Sequence, residues 1–94
     1  MDREALIDKL TAQLKEWDAE ISKLEAKAES SRTDARASLD RQIEELRSKR
    51  ASAAQKLDGV QHAGEDAWRE LASGAERALD DLKDSVKTAV SKFQ

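Results

Sequence analysis

The chain predicts an all-α fold, a long antiparallel coiled coil carrying a helical hairpin, and three observations lead there. Of its 94 residues 37 are charged and 16 are alanine, with no proline and three glycines, so helix formers dominate. Apolar residues recur at alternating steps of three and four through the first two thirds. The last third changes period, to a stripe repeating every eleven residues. Only 20 side chains are large and apolar (Leu, Ile, Val, Met, Phe, Trp), too few for a broad core, so one slender domain over residues 1–94 is expected.

In the first third Ile7, Leu10, Leu14, Trp17, Ile21, Leu24 and Ala28 form a heptad seam. A period of 3.5 belongs to helices that wind around each other left-handedly, with the seam residues as knobs inserted into a partner. Ala5, Ala12, Ala19 and Ala26 also repeat every seven residues, on the far side of the helix. Helix propensity on a solvent face accounts for them, and a second shallow contact line is the alternative.

The seam continues through Ala35, Leu39, Ile43, Leu46, Arg50, Ala53 or Ala54, Leu57 and Val60, with one stutter at positions 35, 39 and 43. Its two halves mirror each other about residue 32, pairing 7 with 57, 10 with 54, 14 with 50, 17 with 46, 21 with 43, 24 with 39 and 28 with 35. Residues 1–30 carry a net charge of -3 and residues 31–58 a net +2, which suits the same antiparallel pairing. Two architectures satisfy it. A continuous stem helix over about 3–58, roughly 84 Å long at 1.5 Å per residue, pairs with a second copy about a two-fold axis. Alternatively the chain turns near 30–34, at Ser30-Ser31-Arg32-Thr33-Asp34 with Thr33 or Asp34 as N-cap, and closes a three-helix bundle on itself. The phase passes through that segment without glycine or proline, so the continuous stem and an antiparallel homodimer are expected. Arg50 falls on the seam, where a charge weakens packing and fixes register.

A hinge is expected over 59–64. Gly59 suits the left-handed position that ends a helix, and Gly64 followed by Glu65 and Asp66 suits a helix start, acidic groups favouring the positive end of the helix dipole. The second helix, about 65–92, carries Gly64, Trp68, Leu71, Ala75, Leu79, Leu82, Val86, Val90 and Phe93 on one eleven-residue stripe. At 3.67 residues per turn such a stripe runs nearly straight, fit to lie across a coiled coil or on an apolar surface. Asp80, Asp81 and Asp84 lie opposite it, with Lys83 and Lys87 nearer its border where they can snorkel, so a membrane or lipid surface is a second partner to weigh.

The chain has no cysteine, no tyrosine and one histidine, which removes disulfides, thiolate metal sites and most nucleophile–base pairs. His62, Glu65 and Asp66 have metal-ligand spacing, yet a solvated hinge histidine is the expected reading. Trp17 and Trp68 lie on the apolar stripes as packing anchors and make no stacking platform. Arg41, Arg47, Lys49 and Arg50, interleaved with Glu44 and Glu45, read as a salt-bridging helix face. A net charge of -3 with evenly mixed signs disfavours nucleic acid. No apolar run approaches the ~20 residues of a membrane span, and the start, Met1-Asp2-Arg3-Glu4, lacks an apolar targeting segment, so a cytoplasmic protein is expected. No catalytic residue, cofactor, metal or small-molecule substrate is expected.

The segments DKLTAQLKEWDAEISKLEAKAE, RQIEELRSKRASAAQKL and GEDAWRELASGAERALDDLKDSVKTAVSKF resemble the small bacterial coiled-coil-domain proteins of stress-response type. That resemblance implies a cytoplasmic, non-catalytic helical protein. The last segment alone also resembles the eleven-residue amphipathic repeats of apolipoprotein-like and desiccation-protective proteins, which implies surface binding. The function expected is a structural or interaction protein that self-associates through its seam or takes a helical partner, the alternative being peripheral lipid binding.

Overall fold

A computed structural model describes residues 2–93, and the fold is all-α, as expected: α1 spans Arg3–Glu29, α2 Thr33–His62 and α3 Trp68–Lys92. Asp2 caps α1, its carboxylate accepting from the Ala5 amide at 2.8 Å. The end of α1 tightens instead of continuing. The Ser30 and Ser31 amides donate to Lys27 and Ala28 at 3.2 Å, and both serine hydroxyls donate to the Lys27 carbonyl.

This break corrects the continuous stem over 3–58, and the arrangement is the three-helix alternative. The long axis of the bundle measures 51 Å, close to the length of α2 alone. The physical reason is proximity. Closing a three-residue connector costs little entropy and buries the seam against the chain's own second helix, whereas pairing two chains costs translational freedom first. The predicted caps also differ. Arg32 occupies the N-cap of α2, with no side-chain hydrogen bond there, so Thr33 and Asp34 lie inside the first turn.

The hinge expected at 59–64 lies later, over residues 63–67. Gly59 is helical, no glycine among the described residues has a positive φ, and α2 ends at His62 with Ala63 extended. Burial decides this: Leu57 and the fully buried Val60 carry the apolar stripe past Gly59, outweighing the ~1 kcal/mol that a helical glycine costs. Arg3 secures the end, its guanidinium donating to the Val60 and Gln61 carbonyls at 2.8 Å. Gly64 sits in the turn that follows, its carbonyl accepting from Ala67 and Trp68, and α3 begins at Trp68, one turn later than the predicted 65.

The core runs the length of the bundle. It comprises Leu6, Leu10, Leu14, Ile21, Leu24 and Ala28 of α1, Leu39, Ile43, Leu46, Ala53, Leu57 and Val60 of α2, and Trp68, Ala72, Ala75, Leu79, Leu82, Val86 and Ala89 of α3. Ile7, Trp17, Ala54, Val90 and Phe93 pack against it from its edges. In α3 the buried positions step by four and three throughout, so this helix keeps heptad spacing and the eleven-residue stripe is corrected at two places. Ala72 is 3% exposed where Leu71, the expected stripe residue, is 44% exposed, and Ala89 is buried where Val90 is at the border. A small buried side chain admits the close approach of two neighbouring helices, a demand that a two-helix seam does not make. Ala35 is exposed, as are Ala5, Ala12, Ala19 and Ala26, consistent with a solvent face.

Candidate interaction surfaces

The basic residues of α2 reach to both neighbouring helices. Arg47 pairs with Glu25 and Arg50 with Asp18, both on α1, while Lys49 donates to Ser85 at 2.6 Å and lies 3.5 Å from Asp81 on α3. Acidic-against-basic pairing of the first two thirds therefore holds, through Glu25 with Arg47 and Asp18 with Arg50. Asp81 likewise faces α2, not the outer side of α3. Arg41 is exposed, and Glu45 pairs with Lys49 along α2.

Arg50 binds Asp18 bidentately, Nε at 2.7 Å and an Nη at 2.9 Å. That hydrogen bond raises the Arg50 pKa above its ordinary value; partial desolvation opposes the rise and the Asp18 charge reinforces it. A raised pKa gives stability that is complete below the unfolded-state value and fades only as pH climbs through the folded-state one. For an arginine that window lies far above neutrality, so Arg50 stays charged and contributes no pH dependence near neutral pH. The side chains of Arg50 and Asp18 are 42% and 38% exposed, so solvent screens the pair. A double-mutant cycle with Asp18→Asn and Arg50→Met is expected to give a coupling of about 0.5 to 1 kcal/mol, vanishing near ~1 M salt. An unchanged coupling in high salt would show that packing, not charge, joins these two residues.

The predicted seam residues Leu10, Leu14, Ile21, Leu24, Leu39, Ile43, Leu46 and Leu57 are all buried within the one chain, while Ile7 and Trp17 stand at its rim. Of the predicted amphipathic face, Trp68, Leu79, Leu82 and Val86 are buried, Val90 and Phe93 are partly covered, and Leu71 points outward. The guanidinium of Arg69 lies 5.4 Å from the Trp68 ring centroid, which shields the aromatic face at the bundle's end. His62 is exposed, with Nδ1 2.9 Å from the Asp58 carbonyl oxygen. Among the described residues no group of three His, Asp or Glu side chains is placed to hold a metal ion. No helix among them is long and apolar enough to cross a membrane.

Several shallow clefts mark the outer surface of the described residues. Where α1 meets α2, an ionic cleft of about 330 Å³ is lined by Glu25, Glu29, Arg36, Asp40 and Arg47. Between α1 and α3, Trp17, Val86 and Val90 floor a second, with Glu20 and Lys87 at its edges. Between α2 and α3 a third, of about 400 Å³, is lined by Gln55, Lys56, Gly59, Glu70, Leu71 and Gly74. Sequence periodicity did not indicate this last groove, because it assigned Leu71 to the core stripe and Gly59 to a hinge. No protein-family model, no curated protein and no solved structure matches the chain.

Proposed function

We propose that the chain is a non-catalytic structural module that self-associates through its coiled-coil seam, two copies exchanging α1 so that α1 and α2 join into one stem. One observation carries this reading. The α1·α2 pair is antiparallel across a connector of only Ser30, Ser31 and Arg32, with no glycine, no positive φ and no side-chain cap on the helix that follows. Contacts that close the chain on itself therefore serve equally between two copies once the connector becomes helical. The setting is the cytoplasm, and the resemblance to stress-response-type coiled-coil proteins supports a role under stress.

Light scattering after refolding at high protein concentration tests the reading. A fraction at twice the 10.5 kDa chain mass is expected, persisting on dilution because exchange back requires unfolding. A single chain mass under every refolding condition would leave a closed bundle without exchange. The lipid-surface alternative has another signature. Leu79, Leu82 and Val86 are buried, so binding requires α3 to leave the bundle, and co-flotation with anionic vesicles together with exposure of Trp68 would favour it.

A further inference from the structure

On the outer side of the α2–α3 pair, several features that the closed bundle does not use lie together. Gly59 and Gly74 are both inside helices, neither has a positive φ, and a Cβ built at either meets nothing within 4 Å. Neither a turn nor a close contact within the chain calls for glycine there. A helical glycine is nevertheless less favourable than alanine by ~1 kcal/mol, a cost that alanine would avoid at either position without a clash. Leu71, one turn before Gly74, is the sole exposed large apolar side chain among the described residues, at 44%. Lys56 on α2 and Glu70 on α3 complete the walls of the groove. Among the described residues neither takes an ion-pair partner.

We propose that this groove docks a second copy of the chain about a two-fold axis. Leu71 of each copy seats between Gly59 and Gly74 of the other, and Lys56 faces the partner's Glu70. A two-fold interface must be complementary to itself. A patch holding one knob, one hole and one charge of each sign meets that condition; a groove for a strongly acidic or basic partner would carry a single sign. Glycine in both walls permits the close backbone approach that a protruding leucine needs, which gives the two glycines a use. The apolar part is short, below the ~800 Å² per partner of a stable interface, so the dimer belongs to the weak, reversible class. It leaves the α1·α2 seam untouched and is independent of helix exchange.

Sedimentation equilibrium up to about 1 mM, the upper range for weak complexes, tests this on the full chain and on a variant whose 30–32 connector is lengthened with glycine and serine. Lengthening disfavours exchange, so failure of the exchange reading leaves the groove dimer in place. Reversible dimerisation of both proteins is expected, weakened at least tenfold by Leu71→Glu with helicity unchanged. Gly74→Gln, which fills the groove where a Cβ has open space, is expected to do the same. Lys56→Glu and Glu70→Lys should each weaken association about tenfold, and the double variant should return it to within about twofold of wild type. A lengthened-connector protein that stays monomeric, dimerisation undiminished in Leu71→Glu, or a double variant no better than either single one would overturn the proposal.

Discussion

Ala72→Glu is expected to unfold the bundle at temperatures where Leu71→Glu leaves it intact, although the two positions are neighbours in sequence. Ala72 is 3% exposed on the buried side of α3, and Leu71 is 44% exposed on the outer side. A glutamate at 72 desolvates a carboxylate at the buried edge of the cleft that Leu6, Lys9, Trp68 and Arg69 line, beside Glu76, and it overfills a site shaped for a methyl group. The two effects together cost about 4 kcal/mol or more. Total stability for a domain of this size is about 5 to 14 kcal/mol at 0.05 to 0.15 kcal/mol per residue, so the loss takes a large share of it. A melting temperature lower by roughly 15 °C or more is expected, against a change of only a degree or two for Leu71→Glu in dilute solution. Leu82→Ala, at a residue with no exposure, should fall between them with a loss of about 3 kcal/mol. Circular dichroism melts decide the matter. If Leu71→Glu proved the more damaging change, α3 would follow its eleven-residue stripe and the heptad packing described above would be wrong.

That contrast also marks what the sequence made legible. The helical class and the large seam residues from Leu10 to Leu57 follow from periodicity alone, because burial of leucine and isoleucine on one face fixes the phase of a helix strongly. Where alanine and a larger residue compete for the phase, size misleads. Leu71 and Val90 outweigh Ala72 and Ala89 in a hydrophobic pattern, yet a third helix needs small residues at its closest approaches. The connectors mislead for a related reason. Glycine at 59 advertises a helix end, but the burial of Val60 overrides it, while the three polar residues 30–32 end α1 with no glycine at all. Local propensity differences of about 1 kcal/mol cannot decide between a hairpin and a through-helix; the location of the buried seam does. The contact of Arg3 with the end of α2 links residues 57 and 58 positions apart, and no local pattern could have shown it. The groove between α2 and α3 needs the pairing register of two helices, so it became visible only in three dimensions.

Replacing Ser30, Ser31 and Arg32 together by alanine is expected to convert the closed bundle into the exchanged dimer. In the hairpin, both serine hydroxyls donate to the Lys27 carbonyl near the end of α1, while the first turn of α2 has no side-chain cap. Alanine removes two hydroxyl hydrogen bonds, each worth about 1 kcal/mol. It also improves helix propensity by several tenths of a kcal/mol at each position. The free amides of the α2 first turn then find carbonyl partners in a continuous helix, in place of a cap they never had. The shift is at least ~2 kcal/mol per chain and ~4 kcal/mol per dimer, roughly a thousandfold in the dimer equilibrium. Association still opposes it through lost translational freedom, so the conversion depends on concentration. Small-angle scattering at high concentration should show a particle close to 90 Å long, about 60 residues at 1.5 Å each, in place of the 51 Å bundle. Each half of such a stem still offers α3 the same α1·α2 surface, so the core around Leu79 and Leu82 survives and helicity is not lost. A monomer that keeps its compact dimensions with an all-alanine connector would mean that α3 locks the hairpin shut, and that the mirror symmetry of the seam serves only the fold of one chain.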